Sequence, residues 1–201
     1  MTDADERNKT KVIFMGTPEF ARASLQALIE AGFDIPAVVS QPDRPQGRGN
    51  KIVYSPVKSY ALSKGIRVMQ PQRASEIAAK LAALEPDFIA VVAYGQILKP
   101  DVLSIPKKGC INVHASLLPL YRGASPIQCA IINGEKETGV TTMLMDEGMD
   151  TGPILLQQTT TIESYDTAST LQDRLAEIGA DLLVHTLDAF DSITPQPQPV
   201  C

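Results

Sequence analysis

Lys11-Val12-Ile13-Phe14-Met15-Gly16-Thr17-Pro18 opens the reading of the fold. A short apolar run ended by glycine is the pattern of a strand buried on both faces. Thr17 suits a helix N-cap and Pro18 the first helical position, where a missing N–H costs nothing. Phe20, Leu25, Leu28 and Ile29 then recur at helical spacing, and Gly32 marks the exit. A second strand is expected within Ile35 to Val39, starting late because of Pro36. Ser55-Pro56 repeats the cap-and-proline start for a shorter helix that Gly65 closes. Ile66 to Met69 gives a third strand, a helix runs through Ile77, Leu81 and Leu84, and Phe88 to Ala93 gives a fourth strand.

Strands separated by helices read as βαβ units, so the predicted class is α/β: a Rossmann-like, mostly parallel sheet with helices on both faces. After residue 137 the pattern changes. Gly139 to Met145 and Ile154 to Ile162 predict a C-terminal pair of strands joined through Asp146-Glu147-Gly148-Met149-Asp150-Thr151-Gly152. Asp166 or Thr167 can cap a long final helix through Leu171, Leu175, Ile178, Leu182 and Leu187, with Gly179 inside it. Thr194-Pro195-Gln196-Pro197-Gln198-Pro199 reads as an extended linker. The expected organisation is a flexible tail over residues 1–10, one domain over 11–190 and a linker over 191–201.

At 201 residues and 44% apolar content, the chain can bury one sizeable core. No apolar run approaches the roughly 20 residues that cross a bilayer, so no membrane role is expected. The polar, acidic start fits neither a secretory signal nor a transit peptide. Cys110, Cys129 and Cys201 are an odd set without Cys-x-x-Cys spacing, which disfavours a disulfide scaffold or zinc knuckle. A reducing compartment, the cytoplasm, is the expected location. Cys110 and Cys129 read as inert core residues.

The net charge of −5 conceals a segregation. Residues 41–122 hold 12 basic and 5 acidic side chains, whereas residues 123–201 hold 2 basic and 12 acidic ones. Arg44, Arg48, Lys51, Lys58, Lys64 and Arg67 fall in one stretch free of acidic residues. Such a stripe can supply phosphate attraction on an acidic protein, or can be a solvated surface without a partner. The dinucleotide fingerprint is missing: Gly16-Thr17-Pro18 follows the first strand, and Gly47-Arg48-Gly49 sits in a long polar loop. A nicotinamide cofactor is therefore disfavoured.

Chemistry concentrates in Gly109-Cys110-Ile111-Asn112-Val113-His114-Ala115-Ser116-Leu117-Leu118-Pro119. On a strand, Asn112 and His114 point one way while Ile111 and Val113 point the other. An amide donor and an imidazole side by side suit acyl transfer: each can steady an oxyanion, and imidazole also titrates where an amine must lose its proton. His114 can equally be a histidine satisfied by a buried hydrogen bond. Asp146 and Asp150, both in the connector, can complete the set with a carboxylate or simply shape the turn.

Asn112-Val113-His114-Ala115-Ser116-Leu117-Leu118-Pro119, followed by Arg122-Gly123-Ala124-Ser125-Pro126-Ile127, resembles the motif of the 10-formyltetrahydrofolate-dependent formyltransferases. Gly139-Val140-Thr141-Thr142 and Met145 to Gly152 match the same family in order and spacing. The resemblance covers roughly residues 11–195. It implies catalytic roles for Asn112, His114 and Asp150, choosing Asp150 over Asp146 for that role. It also implies a folate pocket along Ser116, Leu117, Leu118 and Pro119, with Val92, Tyr94, Gly95 and Ile97 from the apolar stretch Val91 to Leu98, and Asp146. The co-substrate implied is 10-formyltetrahydrofolate, with no metal.

Gln41-Pro42-Asp43-Arg44-Pro45-Gln46-Gly47-Arg48-Gly49 resembles the loop that the methionyl-tRNA branch of this family inserts into the acceptor arm of its tRNA. Phe14-Met15-Gly16-Thr17-Pro18-Glu19-Phe20 fits the same branch. Formylation of the α-amine of initiator methionyl-tRNA is therefore the expected activity, with Arg44, Arg48 and Lys51 contacting tRNA and no protein partner. Members of that branch continue past such a linker into a small β-barrel, which is absent from this sequence. The alternatives are the same chemistry on a sugar nucleotide or glycinamide ribonucleotide, or a fragment that binds folate or RNA without turnover.

Overall fold

Val12–Gly16 folds as strand β1, and helix α1 (Glu19–Glu30) follows it in this computed structural model, which describes residue 7, residues 9–46 and residues 51–199. The helix start differs from the sequence expectation. Pro18 occupies the N-cap, and no side chain caps the helix. The Thr17 hydroxyl donates instead to the Tyr94 carbonyl and accepts from the Gln41 N–H, each at 3.3 Å. Neighbouring loops offer this hydroxyl partners that the helix end would otherwise supply, so it ties three strand exits together.

Strand β2 (Val38–Val39) begins late, as Pro36 requires. Strands β3 (Arg44–Gln46) and β4 (Lys51–Val53) pair antiparallel, so the stretch read as a long polar loop contains a small ribbon. Helix α2 (Pro56–Ser63) starts as expected: the Ser55 hydroxyl accepts from the Lys58 N–H at 3.1 Å. After β5 (Val68–Met69), a 3₁₀ turn (Ala74–Ile77) runs into the short helix α3 (Ala78–Ala82) where the sequence predicts one helix. Strand β6 (Phe88–Val92), helix α4 (Pro100–Leu103), strand β7 (Gly109–His114) and helix α5 (Pro126–Ile132) come next. The predicted strand pair forms as β8 (Glu137–Leu144) and β9 (Ile154–Thr161). Helix α6 (Ala168–Ala189) closes the order, with a reciprocal cap between Thr167 and Thr170.

The main sheet has the order β5-β2-β1-β6-β7-β8-β9. Strands β5, β2, β1, β6 and β7 are parallel, and β8 and β9 are added antiparallel. Alternation along the central strands divides the core. Val12, Phe14, Phe88, Val92, Ile111 and Val113 meet α1, α2 and α6, whereas Ile13, Met15, Ile89, Val91 and Cys110 meet the 3₁₀ turn, α3 and α4. Each fully buried side chain of this size contributes about 1.5–3 kcal/mol. The α/β class with helices on both faces is thus as the sequence predicts. Among the described residues, no helix is long and apolar enough to cross a membrane.

The tail expected over residues 1–10 lies largely outside the described residues, although Arg7 is paired with Asp188 at 2.8 Å. Residues 194–199 are extended and lie against the body: Gln196 and Ile154 exchange two backbone hydrogen bonds of 2.8 Å.

Gly179 explains how closely α6 approaches the sheet. A Cβ there would come within 3.0 Å of Val113 and 3.4 Å of Val140. Val113 sits between Asn112 and His114, so the helix supports the back of the strand that carries them. Gly179→Leu is expected to lower stability by about 1–3 kcal/mol through overpacking, read as a fall in the urea midpoint. An unchanged midpoint would mean that the helix has room to move away.

Candidate active site

Strand β7 ends with Asn112 and His114 on the face opposite Ile111 and Val113, as alternation demands. The β8–β9 connector folds back over them. The Asn112 side-chain amide donates to Asp150 Oδ1 at 3.1 Å, and His114 Nδ1 stands 3.5 Å from Asp150 Oδ2. The Gly123 backbone N–H donates to the same Oδ2 at 2.9 Å. His114 Nε2 lies 2.9 Å from the Tyr121 carbonyl. A carbonyl can only accept, so Nε2 carries the hydrogen, and Nδ1 is the atom free to exchange a proton beside Asp150. His114 is therefore both a satisfied histidine and one aimed at a carboxylate.

Asp150 and Asp146 separate clearly. Asp146 Oδ1 accepts from the Gly148 N–H at 3.0 Å and the Thr151 hydroxyl at 2.7 Å, a turn-shaping role, and it also borders the cavity described below. Asp150 has a left-handed backbone (φ 53°), a conformation that costs a non-glycine residue on the order of 1 kcal/mol. Ala93 (φ 44°), Tyr121 (φ 56°) and Ser125 (φ 62°) share it, and all of them border the site or hold His114. Among the described residues Glu85 (φ 50°) is the one such non-glycine residue outside this group, and backbone strain of this kind often gathers where geometry serves function.

Beside the three side chains opens a cavity of about 630 Å³, within the range that takes a drug-sized molecule. One wall is Val91 and Ala93 to Leu98, and the other is Met145, Asp146 and Gly148 to Asp150 with Gly123 to Gln128. The Gln41 amide braces the first wall by donating to the Tyr94 carbonyl at 3.0 Å. Gln96 does the same, accepting from the Ala74 N–H at 3.0 Å and donating to the Gln72 carbonyl at 2.9 Å. The Tyr94 hydroxyl is buried without a hydrogen-bond partner among the described residues, and burial pushes its pKa up to about 12, so the phenol stays neutral. Burial likewise pushes the Cys110 thiol up to about 12, which keeps it inert.

Of the residues assigned to the folate pocket by resemblance, Tyr94, Gly95, Ile97 and Asp146 line the cavity. Val92 does not: alternation turns it into the opposite core, and Val91 faces the cavity instead. Ser116, Leu117, Leu118 and Pro119 also lie outside its lining. Their turn, which contains a cis Leu118–Pro119 peptide, is committed to the scaffold. The Ser116 hydroxyl donates to the Leu120 carbonyl at 2.6 Å. The buried Thr141 hydroxyl donates to the Ser116 carbonyl at 2.7 Å and accepts from the Leu118 N–H at 3.1 Å. The residues that sequence reasoning missed are mostly backbone, namely the Gly123 N–H and the Tyr121 carbonyl. The Arg-Gly-Ala-Ser-Pro stretch over 122–126 was the available signal for them.

On the other side of Gly95, a smaller hollow of about 350 Å³ leads toward the ribbon, lined by Thr17, Gln41, Asp43, Arg44, Val53 and Ser55. Arg44 is exposed, Arg48 lies outside the described residues, and the Lys51 side chain does too. Lys58 is not free for a partner: it pairs with Asp43, donates to Gln70 Oε1 at 2.7 Å and stacks 3.8 Å from the Tyr54 ring centroid. Gln70 in turn donates to Asp43 Oδ1 and the Gln41 carbonyl, each at 2.8 Å. This clasp fixes the root of the ribbon. Among the described residues no group of His, Cys, Asp and Glu is arranged to hold a metal ion.

The profile of the family described as "Formyl transferase" matches residues 9–187. A protein named methionyl-tRNA formyltransferase from Pelotomaculum thermopropionicum is 59% identical over 180 residues, covering 89% of this chain and 58% of its own length. One of the same name from Caldanaerobacter subterraneus subsp. tengcongensis is 56% identical over 180 residues, covering 88% and 58%. The chain thus spans under two thirds of the length of these curated relatives. Among solved structures, phosphoribosylglycinamide formyltransferase from Bacillus halodurans aligns with TM-score 0.75 at 26% identity, over 91% of this chain and 96% of that one.

The Asp43 clasp carries a pH dependence. Hydrogen bonds from Lys58 and then Gln70 hold the Asp43 carboxyl below its ordinary value. A depressed folded pKa adds stability that is complete above the unfolded value, about 3.9, and is lost as pH falls through the folded one. Wild type should therefore exceed Asp43→Asn in urea midpoint at neutral pH, and the gap should narrow below about pH 4. A gap that stays constant with pH would remove the clasp's electrostatic role.

Proposed function

The chain belongs to the formyl transferase family, and from that membership we propose that it transfers a formyl group from 10-formyltetrahydrofolate to the α-amine of initiator methionyl-tRNA. The observation that carries the chemistry is the meeting of Asn112, His114 and Asp150 at the edge of one cavity. The identity of the named relatives, 56–59%, supports methionyl-tRNA as acceptor over a glycinamide ribonucleotide or a sugar nucleotide. Such a reaction is cytoplasmic work.

Folate enters as the formyl donor. The cavity's volume and its largely apolar lining fit a flat heterocycle. Tyr94, Gly95, Ile97 and Asp146 are the residues that would hold it, with Ser116 to Pro119 and Val92 acting behind the lining as support.

In the reaction, the amine nitrogen attacks the formyl carbon and negative charge builds on the formyl oxygen. The Asn112 amide carries two N–H donors, one held by Asp150, so the other can meet that oxygen. Protonated Nδ1 of His114 supplies a second donor. An α-amine, with a pKa of about 7.7–8.0, attacks in its neutral form after giving one proton to solvent, and it sheds a second once the new C–N bond forms. Asp150 receives it and the His114–Asp150 pair passes a proton to the departing folate nitrogen as the old C–N bond breaks. From the neutral amine the step balances, since the proton shed by the attacking nitrogen is matched by the one that joins the leaving nitrogen. The proton given up beforehand by the ammonium form goes to solvent.

On the acceptor side, Arg44, Arg48 and Lys51 are the proposed phosphate contacts.

His114→Ala should lower the single-turnover rate by about 10²–10³-fold while folate affinity changes little. Equal losses in rate and in folate binding would remove its catalytic role. Arg48→Ala should weaken formylation of charged initiator tRNA and reduce its salt slope by about 1, leaving transfer to a small amine untouched. Unchanged tRNA kinetics would point to a different acceptor.

A further inference from the structure

We propose that Gln198 is a positioning residue for Asp150, acting through the backbone of the β8–β9 connector. Residues 194–197 and 199 are exposed, and Gln198 alone in this proline-rich stretch is part-buried. Its amide nitrogen donates to the Asp150 carbonyl at 3.0 Å and to the Gly152 carbonyl at 2.7 Å. Its amide oxygen accepts from Arg122 Nε at 3.0 Å and from an Arg122 terminal nitrogen at 2.8 Å. Carbonyls cannot donate and a guanidinium cannot accept, so only this orientation of the amide satisfies all four contacts.

The two ends of the clasp grip opposite sides of the site. Arg122 immediately precedes Gly123, whose N–H holds Asp150 Oδ2, and the Asp150 carbonyl belongs to the residue with φ 53°. One side chain thus links the backbone behind the carboxylate to the segment in front of it. Arg122 also donates to the Pro199 carbonyl at 3.0 Å, which keeps the strand end seated. A left-handed aspartate in a connector of glycines has other conformations available, and in most of them its carboxylate would leave Asn112 and His114. Gln198 selects the one that points inward.

The inference rests on the formyl-transfer reading for its kinetic consequence, not for its structural one. Gln198→Glu keeps the length and the acceptor for Arg122 but sets oxygens against two carbonyls. Gln198→Ala removes both ends. In the full 201-residue chain, both variants should lower kcat by about tenfold or more while leaving KM for folate nearly unchanged. Both should also speed hydrogen exchange of the Gly123 amide, measured by NMR, while strand amides such as that of Ile111 keep their protection.

A Gln198→Glu variant with wild-type Gly123 exchange would overturn the proposal, because a tether through Arg122 alone survives that substitution. Wild-type kcat in both variants would overturn it equally. If the wild-type chain transferred no formyl group, the functional reading would fail, and the exchange measurement would still decide the role of Gln198.

Discussion

A carboxylate sunk among side chains needs donors on both oxygens, and Asp150 finds them in two separate parts of the chain. Asn112 and His114 come from a parallel strand, and the Gly123 N–H comes from the segment that follows the strand's turn. The carboxylate itself arrives on the connector of an antiparallel pair. This convergence requires β8 to lie against β7 in antiparallel register, with His114 opposite Thr141. It also requires the connector to fold back through a left-handed residue. The appended strand pair is therefore the feature that turns a general α/β sheet into this particular site.

Much of the architecture is legible because burial on two faces leaves an unambiguous pattern. The runs ending at Gly16, Met69 and Val92 are strands, and Ser55 and Thr167 cap helices as their side chains suggest. The failures are instructive. Thr17 had the chemistry of a cap, yet a carbonyl from a distant strand exit held it instead. A five-residue α3 behind a 3₁₀ turn replaced one regular helix because the 74–77 backbone is drawn toward Gln96. Asn112, His114 and Asp150 could be read from residue type, order and family resemblance. Which residues behind Ser116 to Pro119 serve as scaffold could not, since that depends on where the Thr141 hydroxyl lands.

Charge segregation along the chain gains a physical form in the fold. The basic stretch contains the ribbon and supplies Arg44 to the smaller hollow, whereas the acidic C-terminal third supplies β9, α6 and the connector. Part of the basic excess is internal: Lys58 serves Asp43, and Lys107 and Lys108 pair with Asp87 and Asp191. The positive charge available to a polyanion is therefore smaller than a residue tally indicates, and Arg44 is exposed.

The wall from Ala93 to Leu98 has a consequence for how this protein could diversify. Its polar side chains are occupied or enclosed, Gln96 by the 72–74 segment and Tyr94 by the core, so the polar surface it offers a guest is largely peptide group. Peptide groups are the same whatever residue bears them. Selectivity written in that medium is insensitive to side-chain chemistry and sensitive to backbone shape, at Ala93 and Gly95 above all. Drift in composition along this wall can therefore proceed with the guest unchanged, so long as two torsion angles are preserved.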